Sequence, residues 1–358
     1  MIEVGSPSWV APRERPVRLA SRARHRPAHS NELTRTGDTL MAQPYEFLPD
    51  LTGRTIVVTG TTSGLGLALS GALAGAGARV LMTVRDADRG AAAVAQVRAG
   101  LEDRGSAEAV LLDLADLASV RTAAADIRDR TEDRIDVLIN NAAVSLGPHL
   151  LTRDGFELQI GTNHFGPAAL TWLLMPALRA AGSTGLPSRV VTTSSLGHRT
   201  GRLDLTDLHW DRRRYAPTRA YGASKLANLL FAAELDRRLR RTGDPVLSVA
   251  AHPGMTTSEL LSNGLARGGN WSARLFVLPE RLLSQPVAAG IAAQLLAATG
   301  KVHGGDYLGP TGLFEIRGPA GPARRSAAAR DSVLAGRLWQ VTADVTGVTP
   351  DPEPTTGA

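Results

Sequence analysis

The stretch Thr55-Ile-Val-Val-Thr-Gly60-Thr-Thr-Ser-Gly64-Leu-Gly66 decides the fold. Residues Thr55 to Thr59 are β-branched throughout and read as a buried strand. The Gly/Ala-rich run that begins near Gly64 reads as a helix packed against the sheet. Gly60 permits a tight turn between them, Gly64 lets the backbone approach a pyrophosphate, and Gly66 allows the helix to pack closely. The helix N-terminus offers free N–H groups and the positive end of its dipole to an anion, with Ser63 and Leu65 in the same turn.

The same grammar recurs outward from this stretch. Runs near 79–83, 109–112, 135–139, 189–193 and 246–250 read as further strands, and the segments near 64–76, 87–104, 116–130, 157–181, 221–241 and 286–299 read as helices. Continuous apolar strands separated by helices mean a parallel sheet covered on both faces. With right-handed crossovers the six units form a doubly wound α/β sheet, in a single domain predicted over 46–348.

Composition narrows the classes of function. The apolar fraction of 43% and charged fraction of 21% are those of an ordinary globular chain. Cysteine is absent, which excludes disulfides, thiolate metal sites and thiol nucleophiles. The histidines are not at ligand spacing, so no metal is expected. The net charge of +6 is almost wholly arginine, because Lys225 and Lys301 are the only lysines. Residues 1–45 are rich in Arg and Pro without apolar periodicity and read as a disordered extension, with a translation start at Met41 as the alternative. Residues 349–358 read as a second tail. No membrane span or secretory signal is legible; a cytoplasmic protein without nucleic-acid partners is expected. The basic runs Arg212–Arg214 and Arg237–Arg241 read as solvated faces, the second suiting a helix C-terminus.

Two further features carry chemistry. The second strand ends at Thr83-Val84-Arg85-Asp86. A ribose 2′-hydroxyl would want a carboxylate at the strand tip, whereas a 2′-phosphate wants arginine, so Arg85 favours NADP(H), with NAD(H) left open by the neighbouring Asp86. Tyr221-Gly-Ala-Ser-Lys225 opens a predicted helix and places a phenol and an ammonium one turn apart on one face. The ammonium favours the phenolate and brings its pKa toward the working range of an acid/base.

Taken together these motifs resemble the classical short-chain dehydrogenase/reductase family, over nearly all of residues 50–345. Asn140-Asn141-Ala142-Ala143 is similar to the family's Asn-Asn-Ala-Gly, with Ala143 in place of the glycine. Ser195 in Ser194-Ser195, Asn163 in Thr162-Asn-His-Phe-Gly166, the pair Asp113-Leu114, and His252-Pro253-Gly254 match further family positions. The fold implied is the Rossmann type. The resemblance implies that Tyr221 is the acid/base, Ser195 orients the substrate oxygen, Lys225 holds the nicotinamide ribose, and Asn163 anchors a water leading to solvent. It places Asp113 and Leu114 at the adenine, Asn141 and Ala142 in the cofactor cleft, and Pro253, Gly254 and Thr256 near the nicotinamide, Thr256 being ambiguous in Thr256-Thr-Ser-Glu259.

Asp113-Leu-Ala-Asp-Leu-Ala-Ser-Val-Arg121, Ser194-Ser-Leu-Gly-His198, Tyr221-Gly-Ala-Ser-Lys-Leu-Ala-Asn228, Tyr307-Leu-Gly-Pro-Thr-Gly312 and Leu338-Trp339 resemble the retinol-dehydrogenase-like branch. So does the 26-residue step from Ser195 to Tyr221. No counterpart of that branch's membrane anchor is legible, so membrane residence is not expected. The family's mobile lid would contain Trp271, Phe276 and Leu278, whose apolar character suits a hydrophobic or secondary-metabolite-like small-molecule substrate. Specificity is expected in 144–156, 196–219 and 255–285. A homodimer is left open. The competing readings are a catalytically quiet dinucleotide-binding sensor on the same fold, an enzyme tethered by its basic tail, and a nucleotide-sugar epimerase or dehydratase.

Overall fold

The computed structural model describes residues 48–101, 104–256 and 285–352. The predicted lid residues Trp271, Phe276 and Leu278, the extension 1–45 and the last residues of the C-terminal tail lie outside them.

Eight strands form one sheet in the order β3-β2-β1-β4-β5-β6-β7-β8. They are β1 (Thr55–Thr59), β2 (Arg79–Val84), β3 (Ser106–Leu111), β4 (Val137–Asn140), β5 (Ser188–Thr193), β6 (Val246–Ala251), β7 (Tyr307–Pro310) and β8 (Ala320–Pro322). All neighbours pair in parallel except β7 and β8, which are antiparallel. The strand order reverses direction between β1 and β4, and the crevice outside the carboxyl ends of such strands is where open α/β sheets bind ligands.

Alternation along the strands assigns each side chain to a face. Val57, Leu81, Leu138 and Val190 share a core with α3 (Leu117–Arg130), α5 (Gly166–Gly182) and α6 (Pro217–Thr242). Ile56, Val58, Val80, Met82, Ile139 and Val191 pack on the other face against α1 (Gly64–Gly75), α2 (Ala87–Arg98) and the late helix α8 (Ala292–Thr299), which the short α7 (Val287–Gly290) precedes. A final helix, α9 (Ser332–Thr346), packs Leu338 and Trp339 onto α5 and α6.

Helix starts follow local chemistry. Asp86 caps α2 by accepting from Arg89 N at 2.8 Å, and Asp116 caps α3 by accepting from the N–H groups of Ala118 and Ser119. Pro217 begins α6, and Gly243 ends it in the left-handed region at φ +70°.

Several expectations need correction. Tyr221 does not open its helix, which starts four residues earlier at Pro217, so Tyr221 stands in the second turn. The third strand lies at Ser106–Leu111 and not at 109–112, because pairing with β2 from Arg79↔Ser106 to Val84↔Leu111 overrides the weak strand propensity of Ala107 and Glu108. The described chain also stays engaged beyond 348: Arg179 Nη1 donates to Asp351 Oδ2 at 2.7 Å, and Pro352 is buried.

Candidate active site

The glycine turn lies at the point where the strand order reverses, along a cleft of about 320 Å³. Gly60 has φ +71°, and a Cβ there would sit 2.8 Å from Ala142 Cβ. At Gly66 a Cβ would lie 2.1 Å from Gly60 O and 2.8 Å from Asn141 Nδ2. Gly64, with φ +57°, has open space where its Cβ would be, so the turn presents bare backbone to the cleft. Ser63 is the extended N-cap residue of α1, and both Ser63 and Leu65 line the cleft.

Thr59 and Asn141 lock this turn to β4. Thr59 Oγ1 accepts from the N–H groups of Asn141 and Ala142, each at 2.9 Å, while Asn141 Nδ2 donates to Thr59 O at 2.9 Å. The free lobe of the Asn141 amide meets a residue that sequence reasoning missed. Gln294 of α8 is fully buried, and its Nε2 donates to Asn141 Oδ1 at 3.0 Å and to Thr193 Oγ1 at 2.9 Å. Nothing around Gln294 in sequence marks it; a polar residue in an otherwise apolar helix is the one available signal.

The far edge of the cleft carries Arg85 and also Arg89, a second arginine not singled out from the sequence. Both are exposed. Asp86 between them caps α2. Leu114 lines the cleft with Leu112, while Asp113 between them turns Oδ1 back to accept from Ala115 N at 2.9 Å.

Thr193 leads from the cleft wall to the titratable groups. Its carbonyl accepts from Lys225 Nζ at 3.3 Å and from Asn228 Nδ2 at 3.0 Å. Lys225 is 1% exposed, and burial pulls its pKa down to about 8. Its ammonium lies 5.7 Å from the centre of the Tyr221 ring. Ser195 is the N-cap of the short 3-10 helix Leu196–Arg199, and its Oγ accepts from Gly197 N at 3.1 Å. A Cβ on Gly197 would be 3.3 Å from Tyr221 Cδ1 and Cε1, so this glycine lets the ring lie against the serine turn.

Burial raises the Tyr221 pKa, with the neighbouring Ser195 acting in the opposite direction. Burial acts on both groups, raising the phenol and lowering the ammonium, because both stand on the same face of α6.

Asn163 sits in a π-helical insertion, Gly161–Phe165, between α4 (Leu158–Ile160) and α5. Such insertions re-aim side chains and occur often at functional sites. Its Oδ1 accepts from Val144 N at 2.8 Å, and its Nδ2 donates to Val144 O at 2.9 Å and Ser224 Oγ at 3.0 Å. The side chain therefore clamps the loop after β4 to α6, a role the expected water-holding function did not include.

On the other flank, Gly254 has φ +68°, and a Cβ there would meet Ile316 O at 2.4 Å. Pro253 O accepts from Gln285 Nε2 at 2.7 Å. Thr256 is buried and directs its methyl at Gly290, beside Leu65. His252 is buried as part of the turn: Gly254 N donates to its Nδ1 at 3.2 Å. His198 accepts from Ser326 N at Nε2, so its Nδ1 carries the hydrogen donated to Ser195 O at 2.7 Å.

A glycine-rich turn at the reversal of the sheet, followed in order by Asn141, Ser195, Tyr221 and Lys225, matches the family model for short chain dehydrogenases over residues 54–266. The chain belongs to the short-chain dehydrogenase family. Within it, this dehydrogenase falls in the retinol-dehydrogenase-like branch. It is 36% identical to human retinol dehydrogenase 13 over 304 residues, covering 83% of this chain and 85% of that one. It is 40% identical to mouse polyprenol dehydrogenase over 310 residues, covering 84% and 86%. Among solved structures, a Mycobacterium paratuberculosis protein shares 40% identity at a TM-score of 0.67, covering 84% of this chain and 96% of that one. The Pseudomonas aeruginosa RhlG/NADP active-site complex shares 26% identity at a TM-score of 0.53, covering 72% and 94%. This short-chain dehydrogenase is an oxidoreductase of alcohol and carbonyl groups. Among its described residues no helix is long and apolar enough to cross a membrane.

Proposed function

We propose that this enzyme interconverts an alcohol and a carbonyl on a hydrophobic small molecule, with NADP(H) as its preferred cofactor and Tyr221 as general acid and base. The observation that carries the reading is the Tyr221 ring lying against the Ser195 turn beside Lys225, joined through Thr193, Gln294 and Asn141 to a glycine-lined cleft.

The cleft fits a dinucleotide. Bare backbone at Gly64 and the N-terminus of α1 suit a pyrophosphate, and Gly60 and Gly66 supply the close approach that a Cβ would fill. Arg85 and Arg89 suit a 2′-phosphate, and the NADP complex of a 26% identical neighbour supports that preference. The nicotinamide, when bound, supplies or accepts the hydride. Tyr221 Oη gives a proton to the substrate oxygen in reduction and removes it in oxidation. Ser195 Oγ–H donates to the same oxygen and stabilises the charge that develops there. Lys225, cationic below about pH 8, holds positive charge beside the phenol. Relatives named for retinol and polyprenol support an apolar alcohol or carbonyl as the substrate class.

The reading is tested by titrating the protein with NADPH and NADH, with Arg85→Ala and Tyr221→Phe in parallel. NADPH is expected to bind roughly 10- to 100-fold tighter than NADH, a preference Arg85→Ala loses, since each tenfold is 1.4 kcal/mol. Tyr221→Phe is expected to bind NADPH normally and to lose at least about 100-fold in turnover. Absence of binding by either nucleotide would overturn this reading, whereas NADPH binding without turnover of any carbonyl or alcohol would favour the catalytically quiet sensor.

A further inference from the structure

We propose that Gln159 is a positioning residue for the reaction, fixing the substrate-side loop after β4 and the first turn of the Tyr221 helix through one buried side chain. The inference rests on the reading of Tyr221 as the acid and base.

Gln159 is 1% exposed, in the short helix just before the π-helical insertion. Its Oε1 accepts from Leu146 N at 3.1 Å. Its Nε2 donates to Tyr215 Oη at 2.8 Å and to Pro217 O at 3.0 Å. These partners fall in the two described segments, 144–156 and 196–219, in which specificity is expected.

Each contact has a consequence. Leu146 is a non-glycine residue at φ +56°, a conformation that persists only where surrounding contacts hold it. Two residues earlier, Val144 is clamped by Asn163. Gln159 and Asn163 lie four positions apart on one continuous element, so the same element grips the loop twice. Pro217 O is the carbonyl one α-helical turn before Tyr221, so binding it sets where that turn begins.

Tyr215 closes the arrangement. It accepts from Gln159 and donates to Oε1 of the fully buried Glu157 at 2.9 Å, while Glu157 Oε2 accepts from Ile160 N at 2.8 Å. Burial, and then the Glu157 charge, hold the Tyr215 phenol well above its ordinary range, so it keeps its proton and remains a donor. Gln159 thus has a fixed donor, Leu146 N–H, at its oxygen and fixed acceptors, Tyr215 Oη and Pro217 O, for its amide hydrogens. None of these groups touches the glycine turn. Losing them is expected to misplace Tyr221 against Ser195 and leave the dinucleotide cradle intact.

The test uses full-length protein with Gln159→Leu, Tyr215→Phe and Tyr221→Phe. Gln159→Leu is expected to bind NADPH within about twofold of the parent and to lose roughly 10- to 100-fold in kcat, with a larger primary deuterium isotope effect from labelled cofactor. Tyr215→Phe keeps the ring and is expected to show a smaller loss of the same kind. A readout independent of turnover is the ultraviolet titration of the four tyrosines, with Tyr221 isolated as the difference from Tyr221→Phe. The ionisation of Tyr221 is expected to shift in Gln159→Leu. Lowered thermal stability with unchanged kcat, isotope effect and Tyr221 titration would overturn the proposal. Inactivity of the parent on every carbonyl tried would count against the assigned function, and the Tyr221 titration would still decide the role of Gln159. If Gln159→Leu does not fold, the same comparisons on Tyr215→Phe decide it.

Discussion

Gly64 and Gly66 stand two positions apart, yet a Cβ is resisted at each for a different reason. At Gly66 the added carbon would lie 2.1 Å from Gly60 O, a backbone atom that cannot swing aside, so the turn itself must move. At Gly64 the space is open and the objection is conformational, since φ is +57°. Gly66→Ala is therefore expected to cost roughly 1–3 kcal/mol of stability and to lose most NADPH affinity. Gly64→Ala is expected to cost about 1 kcal/mol, with a smaller loss of binding. Urea denaturation and nucleotide titration on the two variants check this; equal losses would refute the distinction. Lys225 shows the same need for environment. Its sequence spacing from Tyr221 is correct, but burial, to which spacing is blind, sets the protonation of both.

Among the elements, the π-helical insertion and the turn after β6 share a property that makes the fold acid-sensitive. His164, in the insertion, is buried, and burial holds its pKa down to about 3; its Nε2 lies 2.9 Å from Thr342 Oγ1 of α9. His252 is likewise held to about 3, by burial first and then by the charges of His198 and Arg199. Its 3.3 Å contact with Glu315 is therefore not an ion pair at neutral pH. Both imidazoles stay neutral in the fold, while the unfolded chain binds protons below the ordinary value near 6.5. The stability they confer is complete above about pH 6.5 and falls as pH drops toward 3, by about 1.4 kcal/mol per pH unit for each. Denaturation at pH 7.5 and pH 5 is expected to show the loss, and His164→Asn to show a shallower one. A slope unchanged in that variant would assign the acid sensitivity elsewhere.

For the molecule as a whole, α9 closes the core on the face of α5 and α6. Trp339 is 1% exposed, with ring centroids 4.9 Å from Trp172 and 5.4 Å from Phe231, and the guanidinium of Arg238 lies 4.6 Å above it. Trp339→Ala is expected to cost about 3–5 kcal/mol and to lower the melting temperature, with kcat retained where the variant is folded. Equal stability would show that α9 is peripheral. The first six strands, the two-faced core and the glycine turn were legible in the sequence, because periodicity and turn chemistry are local signals of burial and backbone conformation; Tyr221 and Lys225 were marked by their spacing, whereas Ser195 and Asn163 came only from the resemblance to the family. The last two strands and α9 were not read as elements. Tyr307–Pro310 and Ala320–Pro322 are short and contain Gly and Pro, and only pairing with β6 and with each other makes them strands. The tertiary structure alone decided that Gln294 meets Asn141 and Thr193 across more than a hundred residues, and that Gln159 meets Leu146, Tyr215 and Pro217. A hydrogen bond between distant segments leaves no spacing to read; it exists only once the sheet has brought their ends together.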